Sequence, residues 1–280
     1  MKRHALGVLL LLLLAAPALA QSSTDFPGDI PDNMRFRIGA IWAFIDTSAT
    51  FSTPNHPGES IDFTDVFGQP GHKFSFRGDG YWNFAGRSFL DFAYLSLDTK
   101  GSRAITQDIH FGGVTYTAGA QVDSESYNRF IGAAYRYGFV KTPELQVGAS
   151  LGVAYISLRS TLSAAAGVLD ANGVPIVGQT TTREAKIDLP VPLLGLSFDA
   201  QISGPLSVGA NIQALGGTIH PYSGHVVTGQ AHVDYYFIKN FGMGAAFEYT
   251  TIEIKKTTDT KTIQANYRYD GPRIYAILTF

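Results

Sequence analysis

The chain lacks three features that would point to common functions. It has no cysteine, so disulfides, thiolate metal sites and cysteine nucleophiles are excluded. It has no excess of positive charge, with 21 basic against 23 acidic residues in 280, whereas nucleic-acid-binding domains are strongly basic. Beyond residue 20 it has no run of about 18 apolar residues, the length that indicates a membrane-spanning helix. We therefore expect no nucleic-acid partner and no transmembrane helix.

The first 20 residues have the pattern of a secretory signal peptide. A basic start, Lys2-Arg3, precedes an apolar run that contains Leu9 to Leu14, and Ala18-Leu19-Ala20 forms an A-x-A cleavage site. The alternative is a membrane anchor, but the run is short for a span. Cleavage would remove Lys2 and Arg3 and so reduce the basic residues from 21 to 19, against 23 acidic ones. We predict a cleaved peptide over 1–20, a periplasmic N-terminal tail over 21–33 and one membrane domain over 34–280.

The rest of the chain reads as strands with alternating apolar and polar residues. Lipid requires every backbone polar group to be paired internally, and without an apolar helix only a closed barrel achieves this. Transmembrane strands need about 9–11 residues each. We predict an all-β, up-and-down antiparallel barrel of ten strands, with eight or twelve as alternatives. The predicted strands are 34–51, 72–84, 87–99, 124–139, 145–158, 183–202, 206–219, 226–238, 241–254 and 262–280.

Loop lengths predict the orientation of the barrel. Short turns near 85, 142, 204 and 240 would face the periplasm. The longer segments 52–71, 100–123, 159–182, 220–225 and 255–261 would then be extracellular. Aromatic residues recur beside the short turns, as in the interfacial girdles of membrane barrels. These residues are Trp82, Phe84, Tyr137, Phe139, Phe237, Phe241 and Phe280.

Two predicted strands change the parity of their apolar residues midway. The change occurs at Pro190 and Pro192 in the sixth strand and at Gly271-Pro272 in the tenth. A β-bulge inserts one residue and reverses the facing of all that follow, so we predict a bulge at each place. The alternative is that these strands leave the membrane there.

The last strand ends with apolar residues on one face and a terminal aromatic residue. Ile274, Ala276, Leu278 and Phe280 share that face. This ending resembles the assembly signal of bacterial outer-membrane barrels. With the signal peptide, the alternating strands and the girdle, the chain resembles the broad group of small Gram-negative outer-membrane β-barrel proteins. The resemblance implies export by the general secretory route, contact with outer-membrane lipid and lipopolysaccharide, and engagement of the barrel assembly machinery through the C-terminal strand.

Any chemistry would lie among the inward-facing polar residues. Charges in a low-dielectric lumen should pair with one another, so we predict either a plug or a narrow polar conduit. Pairing around Lys239-Asn240 predicts that His232 faces Glu248, and inward glycines at 148, 152, 209, 242 and 244 would leave room for long side chains. The predicted lumen network is Arg35, Arg37, Arg77, Asp79, Asp91, Arg136, Asp199, His232, Asp234 and Glu248.

An enzyme is the sharper interpretation of the same residues. His232 and Asp234 share a face, and a carboxylate can orient an imidazole as a general base. They are the candidate catalytic pair. The chain resembles the ten-stranded omptin proteases in strand count only. It contains no His-x-Ser pair, which outer-membrane deacylases and phospholipases use. We expect no catalysis, no cofactor and no metal ion; Asp170 and Asn172 lack the spacing of a calcium loop.

Surface recognition is the third function class. A hairpin is predicted around His110 to Gly113, and the extracellular segments contain several aromatic residues. These are Phe51, Phe63, Phe67, Phe111, Tyr116 and Tyr127. They could bind a cell, a phage or lipopolysaccharide, or they could simply pack the loops. We expect a non-enzymatic barrel with a narrow or plugged polar lumen, serving envelope structure or slow passage of small solutes. Surface recognition or adhesion is second and an outer-membrane hydrolase third.

Overall fold

A computed structural model describes residues 33–52, 60–258 and 262–280. The predicted signal peptide and all but the last residue of the predicted tail lie outside these ranges. Among the described residues, no helix is long and apolar enough to cross a membrane. The elements in chain order are β1 (Met34–Ser52), β2 (Ser60–Asp62), α1 (Phe63–Phe67), β3 (His72–Ala85), β4 (Ser88–Ala104), β5 (Ile109–Phe111), β6 (Val114–Tyr116), β7 (Gln121–Lys141), β8 (Leu145–Ala164), β9 (Val168–Leu169), β10 (Thr181–Ser203), β11 (Leu206–Ile219), β12 (Tyr222–Ile238), β13 (Phe241–Thr257) and β14 (Thr262–Thr279).

Ten long strands form a closed antiparallel barrel. Each pairs with its neighbours along the chain, and β1 pairs with β14 from Arg35↔Thr279 to Ser52↔Thr262. The predicted strand number is confirmed. The predicted bounds agree to within four residues, except that β4 and β8 extend five and six residues further than predicted, to Ala104 and Ala164. The predicted loop 220–225 is wrong, because β11 and β12 are joined by His220-Pro221 alone.

Register shifts occur beside four short turns and not where bulges were predicted. They lie at Asn83/Ala85, Gly138/Val140, Gln201/Ser203 and Tyr236/Ile238. Pairing of β10 with β8 is unbroken from Thr181↔Ala164 to Ala200↔Leu145, and β14 pairs without a shift on both sides. The bulges predicted at Pro190 and Pro192 and at Gly271-Pro272 are therefore wrong.

The parity change has another cause, which β10 shows. Its odd-numbered residues face inward along the whole strand, with Ile187 and Val191 buried in the interior and Asp199 further along the same face. Leu194 and Leu196 face outward and are 55% and 59% exposed. Along β10 the odd-numbered residues therefore face inward throughout, but the apolar residues lie on the inward face in one part of the strand and on the outward face in the other. We call the part with apolar outward residues the membrane half and the part with apolar inward residues the extracellular half.

The outer surface of the extracellular half is polar. Cross-strand and same-strand ion pairs replace the apolar belt, as expected for a surface in water. The pairs are Lys100–Glu125, Arg159–Glu184, Lys186–Asp188 and Arg268–Asp270, and His225 Nε2 lies 3.7 Å from Glu253. These polar outward residues fit the alternative that the strands leave the membrane there. With 23 residues, β10 is much longer than the roughly 9–11 that lipid requires.

The interior of the extracellular half is a hydrophobic core, which we call the apolar core. Its buried members come from seven barrel strands, and the partly buried Phe130 on β7 and Leu215 on β11 pack against them. Its buried members are Ile41, Ala43, Ile45, Leu95, Leu97, Ile156, Leu158, Ile187, Val191, Leu193, Val226, Ile252, Ile254, Tyr267 and Tyr269.

A folded cap fills the mouth above the apolar core. Asp62 caps α1 by accepting from the backbone N–H of Thr64 and Asp65, and Gly68 ends it with φ +66°. Gln69 then enters the barrel, where its amide donates to Ser124 and Ser126 and accepts from Thr99 at 2.8–3.2 Å. Gly101 allows this close approach, because an added Cβ would lie 2.4 Å from the Phe67 carbonyl oxygen.

The extracellular aromatic residues mostly build this cap. Phe63, Phe67, Phe111 and Tyr116 are at most 2% exposed, and they pack in a second cluster with the small sheet β5-β6-β9. The predicted hairpin is confirmed as β5 and β6. The interpretation of these four side chains as a recognition surface is wrong, since their rings face the cluster and not the solvent; the side chain of Phe51 lies outside the described part.

Candidate functional site

All ten predicted lumen residues lie in one connected layer in the membrane half. Arg35 and Arg37 on β1 face Asp199 on β10, at 3.6 and 3.7 Å. Arg37 also reaches Asp79 on β3 at 4.0 Å. The layer therefore links opposite walls of the barrel and crosses its axis.

Asp234 is the most deeply buried carboxylate of the layer. Its side chain is 0% exposed, and Arg37 Nη2 donates to Oδ2 at 2.7 Å. The Tyr275 hydroxyl donates to Oδ1 at 2.6 Å. Both oxygens thus hold short hydrogen bonds, as a buried charge requires.

His232 is held between the same groups. Its Nε2 lies 2.8 Å from Arg37 Nη2 and 3.2 Å from Asp199 Oδ1. Either tautomer therefore commits Nε2 to one of these partners, whereas Nδ1 is buried and has no hydrogen-bond partner among the described residues. The prediction that His232 faces Glu248 is wrong: the register shift at Tyr236/Ile238 pairs His232 with Ala246 and Gln230 with Glu248.

Arg273 is the central residue that sequence reasoning missed. Its side chain is 0% exposed and bonds Asp79 and Glu248, the latter at 3.0 Å. Its other terminal nitrogen donates to the carbonyl of Arg37 at 3.1 Å. The signal was present, because alternation back from Phe280 places Arg273 and Tyr275 inward.

A second arm of the layer runs along β3, β4 and β7. Arg136 Nε donates to both oxygens of Asp91, at 3.1 and 2.9 Å. The Arg136 and Arg35 guanidinium groups each lie 5.1 Å from the centroid of the Tyr81 ring, which joins this arm to the rest. Arg77 pairs with Glu248 at 3.2 Å.

Glycines make room for the layer, as the sequence predicted. A Cβ on Gly209 would lie 2.5 Å from the His232 ring, and one on Gly244 would lie 2.4 Å from the Tyr275 ring. A Cβ on Gly148 would approach Arg136 at 3.2 Å. Larger residues would displace the ion pairs, since carbon contacts this short are repulsive.

The layer is electrically self-contained. Arginines at 35, 37, 77, 136 and 273 balance carboxylates at 79, 91, 199, 234 and 248. Within the described ranges, no group of three or more potential ligand side chains is arranged to hold a metal ion. A cavity of ≈ 190 Å³ lies against the layer: nine of the ten lumen residues, all but Asp234, line it, and Phe130 and Ile156 form part of its apolar side.

The arrangement is poorly suited to catalysis by His232 and Asp234. A general base needs an accessible nitrogen or oxygen to meet the substrate proton. Nε2 and both Asp234 oxygens already have partners, and Nδ1, which has none among the described residues, is buried. His232 is 5% exposed and lies below the apolar core and the cap. A macromolecular substrate cannot reach it through that interior.

Comparison with solved structures finds other barrels. The outer membrane protease OmpT of Escherichia coli superimposes with TM-score 0.57 at 14% identity, over 92% of this chain and 100% of that one. OprG of Pseudomonas aeruginosa gives 0.37 at 10% identity (90% and 99% covered), and Ail, the attachment invasion locus protein of Yersinia pestis, gives 0.27 at 9% (88% and 99%). No family model and no curated protein sequence matches the chain.

The OmpT comparison and the closed ten-stranded topology concern the fold. At 14% identity similarity of fold carries no activity with it. The chain has the fold of the Gram-negative outer-membrane β-barrel proteins.

Proposed function

We propose that this protein is a non-enzymatic outer-membrane β-barrel whose lumen is closed to ions and polar solutes. The observation that carries the proposal is the double closure of its axis. An ion-paired layer crosses the membrane half, and the apolar core and cap fill the extracellular half. Its role is then in the envelope itself and not in passage along the barrel axis.

The energetics support a permanent plug. Removing one partner from a buried ion pair costs about 3–5 kcal/mol, because the other charge stays buried without compensation. An ion moving along the axis would have to disrupt several such pairs and then cross the apolar core. Small barrels of eight strands have interiors just wide enough for their own side chains, whereas porins of sixteen or more strands hold channels.

Single-channel recording in a planar bilayer tests the closed lumen. We expect no conductance steps from protein that shows heat-modifiable migration, while a general porin in the same bilayer conducts. The double change Arg77→Ser with Glu248→Ser removes a lumen pair, and Arg159→Ser with Glu184→Ser removes a matched outer pair. Reproducible wild-type steps that change with the first double variant and not with the second would overturn the proposal.

Placement in the outer membrane and export by the general secretory route belong to the same proposal. The apolar belt supports contact with lipid and lipopolysaccharide. Where β1 meets β14, the Phe280 N–H donates to the Met34 carbonyl at 2.9 Å. The Phe280 ring is 57% exposed, so the barrel assembly machinery could bind it. Deleting Phe280 should reduce heat-modifiable protein in the outer membrane fraction, whereas Phe280→Tyr should retain it.

Surface recognition remains the second candidate, now for different residues. Val174 and Val177 are 57% and 82% exposed in the segment between β9 and β10, and apolar side chains exposed together can mark an interaction site. Changing both to Ser should abolish adhesion to a cell layer if this segment binds there, without changing heat modifiability. Unchanged adhesion would remove this candidate.

A further inference from the structure

The barrel wall is not hydrogen-bonded along its full height. The β10–β11 ladder runs from Ser203↔Leu206 to Leu194↔Ala214. Above it, among the described residues, no ladder pair joins Pro190–Leu193 to Leu215–Thr218, although both segments lie in strands. There β10 pairs with β8 and β11 pairs with β12. We call these two facing segments the open seam.

The residues of the open seam suit an unpaired edge. Proline has no N–H to donate, and it is found on edge strands for that reason; Pro190 and Pro192 both lie here. Gly216 and Gly217 lie on the opposite side. A Cβ on Gly217 would meet nothing within 4 Å, so side chains leave space at this point of the wall.

That space is an apolar pocket that adjoins the lumen cavity. Its volume is ≈ 70 Å³, and its lining includes Leu189, Val191, Leu215 and Ile254. Val226 lines both this pocket and the ≈ 190 Å³ cavity against the ion-paired layer. A single layer of side chains therefore separates the open seam from the lumen cavity.

The height of the open seam decides what can reach it. On the neighbouring strand, Pro192 pairs with Val153 and Pro190 with Tyr155. These two residues face outward, 48% and 43% exposed, at the upper end of the apolar belt on β8. A molecule dissolved in the outer leaflet would meet the seam without first crossing water.

We propose that the open seam admits small uncharged apolar molecules from the outer leaflet into the lumen cavity. A dry cavity of about 150 Å³ lined by Leu, Ile and Phe holds benzene. The lumen cavity has room for an occupant of that size at ≈ 190 Å³, although the charged side chains of the layer form one side of it. Phe130, Ile156 and Leu193 supply apolar walls. The layer has no excess charge to retain an ion. This proposal rests on the proposed function, because an open axis would make a lateral entrance unnecessary.

The absence of cysteine permits a direct test. Thr228 lines the cavity, and Thr228→Cys replaces one hydroxyl with the only thiol of the chain. The protein is expressed in a Gram-negative host, purified from outer membranes and placed in lipid vesicles. The probes are uncharged N-phenylmaleimide and a sulfonated maleimide, with benzene added as a competitor.

Two seam variants give the comparison. Gly217→Trp adds an indole on the inward side of the seam, whereas Thr218→Trp adds it to the outward side of the adjacent position. Because a Trp side chain buries about 150–250 Å², we expect the first to slow N-phenylmaleimide labelling about tenfold or more and the second less than about twofold. Leu215→Ala should accelerate labelling, and benzene should slow it in the parent. Heat modifiability and full labelling after unfolding verify each variant.

Each outcome has a distinct meaning. Labelling that Gly217→Trp slows and Thr218→Trp spares supports the proposal, as does acceleration by Leu215→Ala if Gly217→Trp fails to fold. Equal rates in all variants, or no labelling by N-phenylmaleimide, would overturn it. Equally rapid labelling by the sulfonated reagent would show a wet axial path, and the closed lumen of the proposed function would then be wrong.

Discussion

The two halves of the barrel have opposite chemistry on continuous strands. On β8, Leu151 and Val153 face outward in the membrane half and Ser150 faces inward; further along, Arg159 faces outward and Ile156 inward. Where lipid covers the outside, the interior can be polar because ion pairs and hydrogen bonds satisfy it. Where water covers the outside, the interior must supply hydrophobic burial. The medium outside the wall thus determines what can fill the lumen.

The largest effect should follow from removing the central cation of the membrane half. Arg273→Ala leaves Asp79 and Glu248 buried with one cation fewer, and we expect a loss of about 3–5 kcal/mol or failure to assemble. Arg268→Ala changes the same residue type on the same strand in the extracellular half, where Arg268 is an exposed partner of Asp270. Urea unfolding in lipid vesicles compares the two. Equal losses of stability in the two variants would contradict the distinction between a buried ion-paired layer and an exposed outer surface.

A charge on the outer face should be tolerated in one half only. Leu151→Arg places a guanidinium in the apolar belt, where we expect about 2–4 kcal/mol of destabilisation near the bilayer midplane. Thr161→Arg, on the same face of β8, enters a polar surface and should change stability by no more than about 0.5 kcal/mol. The same unfolding assay applies. A tolerated Leu151→Arg would place the membrane elsewhere.

Packing should matter inside the extracellular half and less on the lipid face. Ile156 is 1% exposed in the apolar core, so Ile156→Val should cost about 0.5–1.5 kcal/mol. Val153→Ala removes outward methyl groups whose place lipid can fill, and we expect a smaller loss. Differential unfolding of the two variants measures the contrast. A larger loss for Val153→Ala would contradict the assignment of the hydrophobic core.

The smallest effect should come from the outer ion pairs. Lys186 lies 2.5 Å from Asp188 and Ser157 donates to it at 2.7 Å; the bond from Lys186 is the main reason that the pKa of Asp188 is lowered. Its contribution is therefore present above the ordinary carboxyl pKa and is lost as pH falls through the lowered value. Asp188→Asn should change stability at pH 7 by about 0–1 kcal/mol, and the difference from wild type should vanish in acid. A difference that persists at low pH would mean that Asp188 acts other than as a charge.

The sequence predicted the barrel well because strand alternation is a local signal. The sequence also predicted that the ten lumen residues lie close together, because the direction of a side chain and its distance from a turn determine its position in a barrel. It failed where several strands must be compared. The parity change at Pro190 and Pro192 was assigned to a bulge because the sequence does not show which medium lies outside. The predicted pairing of His232 with Glu248 was wrong because the register shift at Tyr236/Ile238 depends on the geometry of the turn.

Three further features were missed for separate reasons. Arg273 could have been found by parity, but the interruption of alternation at Gly271-Pro272 obscured the pattern. Burial of Phe63 and Phe67 depends on a five-residue helix that folds back into the mouth. The open seam is an absence of pairing between two strand segments. Pro190 and Pro192 indicated an irregularity there, but proline is compatible with a bulge as well as with an unpaired edge.

The outward-facing charged residues of the extracellular half have a consequence for insertion into the membrane. Arg159, Glu184, Lys186 and Asp188 face outward on β8 and β10, yet in a secreted chain they would begin in the periplasm and finish beyond the membrane. Moving them through lipid after closure would expose each charge to hydrocarbon. We therefore expect these hairpins to cross the membrane before β1 pairs with β14. Pairing of β1 with β14 would then be the last step of insertion, and the apolar core would form only after the hairpins have crossed.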